Sequence, residues 1–263
     1  MHKVTLTELG MMKKDGRKIA CLTAYDAGFS RILDEAGVDV MLVGDSLGMV
    51  VQGHATTLEV TLADMIYHTR LVSAACRRAL IVADMPFMSY ATPARALGSA
   101  ARLISEGGAE IVKLEGGAVM AETVRQLSAQ GIAVCAHLGL TPQSIHKLGG
   151  HRVQGKEQAD AERILRDASM LAEAGASLLV LECVPPELAQ AVTTAMTIPV
   201  IGIGAGAACD GQVLVLYDIL GISQHQPRFS QNFLQSSASI QAAVGDYVAA
   251  VKSGAFPAAG RHY

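Results

Sequence analysis

The stretch VMLVGDSLGMV, from Val40 to Val50, begins as a buried strand and then changes character. Four apolar residues are followed by Gly44, and the next two side chains, Asp45 and Ser46, are a carboxylate and a hydroxyl. Continuous apolar runs of this length are typical of parallel strands that are covered on both faces. The stretch therefore predicts a core strand whose carboxyl end carries polar groups, and similar stretches recur along nearly the whole chain.

Eight apolar runs of strand length alternate with segments that read as helices. The runs are Lys18–Tyr25, Val40–Asp45, Leu80–Met85, Glu110–Gly116, Ile132–Leu138, Leu178–Val184, Pro199–Gly206 and Gln212–Asp218. Helices are expected at Ala27–Ala36, Leu62–Cys76, Thr92–Glu106, Val119–Gln130, Ala159–Ala174, Pro186–Ala195 and Ser239–Lys252. This alternation is typical of the α/β class and predicts a single (β/α)8 TIM barrel, with a doubly wound open sheet as the alternative. Because no linker divides the chain, we expect one barrel domain over residues 1–263 with a C-terminal helical extension.

The composition argues against several functional classes. The chain has 263 residues, a formal net charge of −3 and scattered Lys and Arg residues, which argues against nucleic acid as a partner. No apolar run approaches the roughly 18 residues of a membrane span, so no membrane partner is expected. The five cysteines form neither a zinc motif nor a disulfide framework, and we expect a cytoplasmic protein. The low share of charged residues, 17%, favours a homo-oligomer in which apolar surface is covered.

Polar side chains collect where the predicted strands end. They are Tyr25, Asp45, Ser46, Asp84, Lys113, Glu115, His137 and Glu182. In a TIM barrel the carboxyl ends of the strands meet at one mouth, where the active site lies. Side chains alternate along a strand, so Lys113 and Glu115 share a face with Ile111 and enter that mouth if this face points inward. By the same parity Asp84 goes with Val82, His137 with Cys135, and Glu182 with Val180.

Each of these residues also has a purely structural interpretation. Asp45 or Asp84 alone reads as a turn or cap residue, His137 as a buried structural histidine, and Lys113 with Glu115 as an ordinary ion pair. A whole set of charged groups gathered on one rim is harder to explain in this way. Buried charges without partners cost several kcal/mol each, roughly, and a metal with a bound substrate would supply those partners.

The chemistry of the set indicates a metal-assisted reaction of a keto acid. Three carboxylates, Asp45, Asp84 and Glu115, with no cysteine ligand suit a hard cation such as Mg²⁺. A 2-oxo acid would offer it a carboxylate and a ketone oxygen, and the cation would stabilise an enolate formed beside the ketone. Lys113 would add positive charge to the same oxygens, and Glu182 would remove the α proton as general base. Ser46, directly after Asp45, would bind the substrate carboxylate.

Two glycine-rich stretches are given other interpretations. GIGAG, at Gly202–Gly206, lacks the spacing of a dinucleotide-binding loop and is expected to be a tight turn or a point of close substrate approach. The segment Gly149–Gly155 lies in the fifth connection and is expected to be a mobile flap over the barrel mouth. His54, His146 and His151 lack zinc-ligand spacing. No serine-hydrolase elbow is present.

Several motifs closely resemble those of one enzyme family. TAYD, VGDSLGMVVQGH, DMPFMSYATP, VKLEGG, HLGLTPQS, LVLECVP and IGIGAG followed by DGQVLV occur in order between about Thr23 and Phe256. They resemble the 3-methyl-2-oxobutanoate (ketopantoate) hydroxymethyltransferase family. The resemblance implies a barrel of the phosphoenolpyruvate/pyruvate-binding type, bound Mg²⁺ and a decameric assembly. It also implies transfer of a one-carbon unit from 5,10-methylenetetrahydrofolate to 3-methyl-2-oxobutanoate, which forms 2-dehydropantoate for pantothenate synthesis.

The resemblance also implies roles for individual residues. Asp45 in VGDS and Asp84 in ADMP are similar to metal ligands that also face the substrate, and Glu115 in KLEGG is similar to the third metal-site carboxylate. Glu182 in LECVP matches the proton acceptor, the catalytic residue. The substrate-binding set implied in this way is Tyr25, Asp45, Ser46, Asp84, Lys113 and His137.

At three positions the chain departs from the family pattern. Ala55 stands where Asp is frequent, Ala136 where Gly is common, and Tyr217 where His is usual. None of the three replaces a proposed ligand or the base, so the departures bear on the folate side and on surrounding residues.

The sequence leaves three alternatives to the folate-dependent transferase. A Mg²⁺-dependent lyase or aldolase for another 2-oxo acid would share the enolate but would need no folate. An aldolase that forms a Schiff base through Lys113 is the second alternative. The third is a barrel without catalytic activity that serves as a binding protein, which the intact Asp45, Asp84 and Glu182 argue against.

Overall fold

The barrel predicted from the strand pattern is closed. The structure, a computed structural model, describes residues 2–224, 226–258 and 260. Its parallel strands follow one another in sequence order around the barrel, and the last pairs again with the first. They are β1 (Ile19–Thr23), β2 (Val40–Val43), β3 (Leu80–Asp84), β4 (Ile111–Glu115), β5 (Val134–Gly139), β6 (Leu178–Glu182), β7 (Val200–Ile203) and β8 (Gly211–Leu214). The open-sheet alternative is thereby excluded.

All the helices predicted between the strands and after β8 are present. They are α2 (Ala27–Glu35), α4 (Leu62–Ala75), α5 (Pro93–Ser105), α6 (Ala121–Ala129), α8 (Gln158–Glu173), α9 (Pro186–Ala195) and α11 (Ile240–Ser253). The structure adds α1 (Leu6–Lys14) and the single-turn helices α3 (Leu47–Val50), α7 (Ile145–Leu148) and α10 (Leu216–Ile219), which the sequence analysis did not predict. As expected, no helix separates β7 from β8 within the described residues.

Several strands end earlier than their apolar runs. β1 stops at Thr23, before Tyr25, and β2 stops at Val43, before Asp45. After β8 the residues Tyr217 and Asp218 belong to the single-turn helix α10 and not to the strand. Buried apolar side chains continue into these connections because they also pack against the barrel, so the apolar run overestimates the strand.

The inside of the barrel has its own apolar core, and its parity decides where the polar strand ends point. Val82, Ile111, Cys135 and Val180 are buried together in this inner core, apart from the larger core between strands and helices. Because side chains alternate along a strand, the residue two positions after each of these also faces inward. The predicted parity is therefore confirmed, and the polar strand ends project into the mouth of the barrel.

Helix α1 closes the opposite end of the barrel. Leu9 and Met12 are buried in the inner core, and the backbone N–H of Val4 donates to the carbonyl of Arg78, just before β3, at 2.8 Å. The Lys13 ammonium lies 2.7 Å from the carboxylate of Asp210, just before β8. These partners all stand at the starts of strands, so α1 caps the N-terminal end of the barrel.

The C-terminal helix α11 covers the seam between β1 and β8. Its Tyr247 is completely buried and donates its hydroxyl to the carbonyl oxygens of Cys21 and Gln212, at 2.8 and 3.0 Å. The Tyr247 ring packs edge-on against Phe233 and Phe256. The predicted helical extension is therefore part of the barrel's outer layer. No described helix combines the length and apolarity needed to cross a bilayer.

Candidate active site

A cavity of about 660 Å³ opens at the carboxyl ends of the strands. Seven of the residues predicted for the site line it: Asp45, Ser46, Asp84, Lys113, Glu115, His137 and Glu182. They come from the ends of β2, β3, β4, β5 and β6, or from the turns directly after these strands. Tyr25 is buried beside the cavity but is absent from its lining among the described residues.

Lys113 and Asp84 form a buried ion pair at the centre of this cavity wall. They are opposite each other in the β3–β4 register, and the Lys113 Nζ lies 2.7 Å from the Asp84 Oδ1. Burial alone would lower the pKa of Lys113, but the carboxylates of Asp84, Glu115 and Asp45 raise it above its usual value. Lys113 is therefore a fixed positive charge, and its ion-pair partner is Asp84 and not the Glu115 of the structural interpretation.

His137 lies between two carboxylates. Its Nε2 is 3.2 Å from Glu182 Oε2 and its Nδ1 is 3.4 Å from Glu115 Oε1. Both are ion-pair distances, although the angles at the imidazole do not meet hydrogen-bond geometry. Burial and the charge of Lys113 lower the pKa of His137, but the contacts with Glu115 and Glu182 raise it to about 9. The imidazolium therefore holds the Glu182 carboxylate against the cavity wall.

Asp45 is buried among other acids and is held by hydrogen bonds. Its backbone N–H donates to Asp84 Oδ2 at 3.1 Å, and its own Oδ2 accepts from the side-chain amide of Gln143 at 2.8 Å. Burial, followed by the charges of Asp84 and Glu115, raises the pKa of Asp45 well above its usual value. This is the electrostatic signature of carboxylates gathered at one point, where an added cation would be bound strongly.

Gln143 and Tyr90 are buried site residues that the sequence analysis did not single out. Gln143 follows β5 and reaches both Asp45 and Glu115, while Tyr90 follows β3 and donates its hydroxyl to the Gln143 side chain at 2.5 Å. Both stand in connections that directly follow strands, within the motifs HLGLTPQS and DMPFMSYATP. The available signal is their position in connections that follow strand ends. Both side chains are uncharged, so they lack the feature that marks most of the other site residues.

Ser46 joins Tyr25 to the cavity. The Tyr25 hydroxyl and the Ser46 Oγ are 2.9 Å apart, and Ser46 lines the cavity. Burial is the main cause that raises the pKa of Tyr25, so its hydroxyl stays protonated. Direct contact between Tyr25 and a substrate stays a prediction, since Tyr25 reaches the cavity through Ser46.

Glycine is required where two connections pass close to the site. At Gly139 the φ angle is +88°, and a Cβ would stand 2.1 Å from the carbonyl oxygen of Glu182. At Gly204 the φ angle is +62°, and a Cβ would stand 2.8 Å from the ring of Phe229. The expectation that GIGAG turns tightly is therefore confirmed at Gly204, and close approach of a substrate there stays a prediction.

A second part of the cavity wall is less charged. It includes Met49, Val51, Tyr217, Ile222 and Phe229, with one carboxylate, Asp218, that accepts from Ser223 Oγ at 2.5 Å. Burial raises the pKa of Asp218. This part of the cavity can receive a flat, largely apolar group that carries hydrogen-bond donors.

The comparisons with known proteins decide the family. The sequence profile described as ketopantoate hydroxymethyltransferase matches residues 3–259. A 3-methyl-2-oxobutanoate hydroxymethyltransferase from Thiobacillus denitrificans is 60% identical over 257 residues, which cover 97% of this chain and 98% of that protein. One from Halorhodospira halophila is 58% identical over 254 residues, covering 97% of this chain and 92% of the relative. The chain belongs to the ketopantoate hydroxymethyltransferase family.

Distant solved structures share the fold. A phosphonopyruvate hydrolase, crystallised as a complex with oxalate and Mg²⁺, aligns with a TM-score of 0.62 at 11% identity and covers 82% of this chain and 81% of that one. A 2,3-dimethylmalate lyase described as a PEP mutase/isocitrate lyase superfamily member aligns with a TM-score of 0.57 at 17% identity and covers 81% of each chain. These likenesses confirm the barrel fold, and the phosphoenolpyruvate/pyruvate-binding type stays a prediction.

The departures from the pattern of the ketopantoate hydroxymethyltransferase family fall in two places. Ala55 and Tyr217 line the cavity, whereas Ala136 packs in the core between strands and helices. The Gly149–Gly155 segment also reaches the mouth, because His151 lines the cavity and the Gln154 N–H donates to the Cys183 carbonyl at 2.9 Å. Its mobility stays a prediction.

The residues of this family member fit a hard divalent cation in part. Asp45 and Asp84 lie side by side, and Glu115 Oε1 is buried without a hydrogen-bond partner in the described part of the chain. Mg²⁺ is usually bound by one or two carboxylates, with water and substrate oxygens completing its shell. Within the described residues no group of three or more His, Cys, Asp or Glu side chains is spaced to hold an ion together. Two neighbouring carboxylates, Asp45 and Asp84, are enough for such a site, and ligation by Asp45, Asp84 and Glu115 stays a prediction.

Proposed function

We propose that this chain transfers a hydroxymethyl group from 5,10-methylenetetrahydrofolate to 3-methyl-2-oxobutanoate, forming 2-dehydropantoate for pantothenate biosynthesis. Water supplies the hydroxyl oxygen of the product, and tetrahydrofolate is released. Membership of the ketopantoate hydroxymethyltransferase family supports the reaction class. The structural observation that carries the proposal is that a base, Glu182, and a fixed cation, Lys113, line the same cavity wall.

The keto acid is held by its oxygen atoms. The Lys113 ammonium, which stays charged among its carboxylate neighbours, attracts the ketone and carboxylate oxygens, and the Ser46 hydroxyl donates to the carboxylate. Mg²⁺ on Asp45 and Asp84, with Glu115 beside them, would polarise the ketone and make the neighbouring C–H bond more acidic.

Glu182 removes the proton from C3, the carbon beside the ketone. A general base must be held in a fixed position beside the proton it removes, and the His137 imidazole, 3.2 Å from the Glu182 carboxylate, fixes its orientation. The electron pair of the broken C–H bond passes into the enolate. Water cleaves the two C–N bonds of the folate's methylene group to give tetrahydrofolate and formaldehyde. C3 of the enolate then adds to the formaldehyde carbon, and the new alkoxide takes the proton held by Glu182. Lys113 stabilises the charge that develops on the ketone oxygen.

The less charged part of the cavity is where we place the folate. Its pterin ring is flat and carries amide and amino N–H groups along one edge. The side chains of Tyr217 and Phe229 present rings to such a group, and Asp218 can accept from its N–H groups. A cavity of about 660 Å³ has room for this ring beside a small keto acid.

The electrostatics disfavour the Schiff-base alternative. An amine must lose its proton before it can attack a ketone, and the carboxylates around Lys113 raise its pKa. Borohydride with substrate should therefore trap no adduct on Lys113, whereas EDTA should abolish the activity. Product that forms only with 5,10-methylenetetrahydrofolate present would separate the transferase from a folate-independent lyase.

The decisive experiment is Glu182→Gln. The amide keeps the size of the side chain but cannot accept a proton, so we expect exchange of the C3 hydrogen of 3-methyl-2-oxobutanoate in D₂O to be lost while keto acid binding is retained. NMR measures the exchange and calorimetry the binding. Glu187→Gln, at an exposed position in the first turn of α9, is the matched control and should exchange normally. Unchanged exchange in Glu182→Gln would exclude Glu182 as the base.

The remaining assignments are finer than the family itself. We propose a cytoplasmic homo-oligomer, a decamer, in which each chain forms one barrel domain over residues 1–263. The exposed apolar side chains of Tyr67, Phe87, Met88 and Val119 are surface that such an assembly could cover. Light scattering at several protein concentrations tests the decamer.

A further inference from the structure

Gln143 connects two carboxylates from strands that are not neighbours. Its side-chain Nε2 donates to Asp45 Oδ2 at 2.8 Å, and its backbone N–H donates to Glu115 Oε2 at 3.0 Å. Asp45 follows β2 and Glu115 ends β4, with β3 between them. One residue in the connection after β5 therefore sets the separation of two acids that the sheet itself does not bring together.

The orientation of the Gln143 amide is fixed by its surroundings. Its Nε2 also donates to the carbonyl oxygen of Met85 at 2.9 Å, and because a carbonyl can only accept, this contact fixes which end of the amide is the nitrogen. Its Oε1 accepts from the Tyr90 hydroxyl, which in turn accepts from the backbone N–H of Glu115 at 3.3 Å. Gln143 and Tyr90 are both at least nine-tenths buried, so this network has no competing water.

The choice of a neutral amide has an electrostatic consequence. Gln143 donates to Asp45 Oδ2 at 2.8 Å without adding a charge to a cavity wall that also contains Asp84 and Glu115. A Lys or Arg at this place would neutralise the acids and compete with a metal ion. An amide holds the acids in place and leaves their negative charge available to a cation.

We propose that Gln143, locked by Tyr90, is a positioning residue that presents the Asp45 and Glu115 carboxylates to a divalent cation. This inference rests on the proposed function only in its assumption that the cavity binds such a cation. Neither side chain is assigned contact with the substrate, since both act through the carboxylates they hold.

The test uses Mn²⁺ as the probe, with the purified protein and no substrate. Binding is followed by electron paramagnetic resonance of free Mn²⁺ in wild type, Gln143→Leu and Tyr90→Phe. Loss of such a supporting partner weakens metal binding roughly 10–100-fold, and we expect this for Gln143→Leu. Tyr90→Phe, which keeps the ring and the packing, should weaken binding in the same direction by a smaller factor.

A matched control separates positioning from general stability. Gln212 is as buried as Gln143, but its side-chain amide donates to the backbone carbonyl of Gly206, at 2.9 Å, and not to a carboxylate of the site. Gln212→Leu should lower the melting temperature and leave Mn²⁺ affinity unchanged. In the two test variants, kcat should return towards the wild-type value at saturating Mn²⁺ while the metal concentration for half-maximal activity rises, a split that mere destabilisation does not produce.

Each outcome decides the matter. If Gln143→Leu does not fold, Tyr90→Phe carries the test. Wild-type Mn²⁺ affinity in the folded variants would overturn the positioning role and leave the proposed function standing. A wild-type chain that binds no Mn²⁺ would remove the cation from the proposed function and this inference with it.

Discussion

At the scale of single residues, the site is defined by charges that the fold forces together. Lys113 and Asp84 are each only 4% exposed in their side chains, and they face each other across two neighbouring strands. A buried charge that keeps its partner is tolerated, whereas one that loses its partner is costly. Lys113 is therefore a structural residue as well as a site residue.

Lys113→Met should destabilise the protein strongly. The change preserves most of the side-chain volume but leaves Asp84 with no cationic partner, which we expect to lower the free energy of unfolding by about 3–5 kcal/mol. Urea unfolding followed by circular dichroism measures it. Lys156→Met, at an exposed position, is the control and should change the value by less than about 0.5 kcal/mol. A tolerated Lys113→Met would contradict the stabilising role given to this ion pair.

The sequence predicts several residues of the cavity wall correctly, but it does not predict which residues they contact. Asp45, Asp84, Lys113 and Glu182 could be predicted because ionisable groups rarely stand at the ends of apolar strands. Their partners could not be assigned, since a contact such as Lys113 with Asp84 depends on register between strands. Gln143 carries no charge and lies beyond a strand, so only its position shortly after β5 distinguishes it from an ordinary loop residue.

At the scale of elements, side-chain carboxylates hold the connections between helices and strands by accepting hydrogen bonds from backbone N–H groups. Asp34, near the end of α2, accepts from the backbone N–H groups of Arg77, Arg78 and Ala79, in the turn between α4 and β3. The carboxylate thus fixes the start of β3 relative to α2. Burial opposes its ionised form, but these backbone donors lower the pKa of Asp34 below its usual value.

Asp34→Asn should destabilise the protein in a pH-dependent way. Because the folded-state pKa lies below the unfolded one, the ionised form stabilises the protein at pH values above the unfolded pKa of about 3.9, and this contribution is lost as pH falls through the folded pKa. We expect a cost of about 2 kcal/mol at pH 7 that shrinks below about pH 4. Unfolding in urea at several pH values measures it.

Asp15→Asn supplies the comparison for this pH series. Asp15 is exposed and forms an exposed ion pair with Arg17 near its own helix, so its replacement should cost less than about 0.5 kcal/mol throughout. An Asp34→Asn cost that stays constant down to pH 3 would contradict the role given to the ionised carboxylate.

At the scale of the whole molecule, the two ends of the barrel have different tasks. The carboxyl ends of the strands carry the site, and the other end is filled by α1 with Leu9 and Met12. The closed barrel could be predicted because the periodic strands and helices identify it even when their ends are misplaced. Helix α1 was missed because it precedes the repeating pattern, although the side chain of Thr5 caps it and Lys13 and Lys14 lie in its last turn.

Leu9→Ala should reduce stability without affecting catalysis. Leu9 is completely buried at the bottom of the inner core, so the truncation should lower the free energy of unfolding by roughly 2–5 kcal/mol. The site is at the other end, so kcat should stay at the wild-type value under conditions where the variant is folded. Met11→Ala, on the exposed side of the same helix, should be close to neutral in both measurements. A fall in kcat for folded Leu9→Ala would show that the two ends are coupled.

The closure of the N-terminal end of the barrel by α1 also determines how substrates enter and products leave. Because α1 seals the N-terminal end, the keto acid and the larger folate of the proposed reaction both enter through the mouth at the carboxyl ends of the strands. The substrate that binds second then covers the one that bound first. The keto acid then binds before the folate, and 2-dehydropantoate leaves after tetrahydrofolate. We therefore expect an ordered mechanism of binding and release, which the inhibition patterns of the two products would reveal.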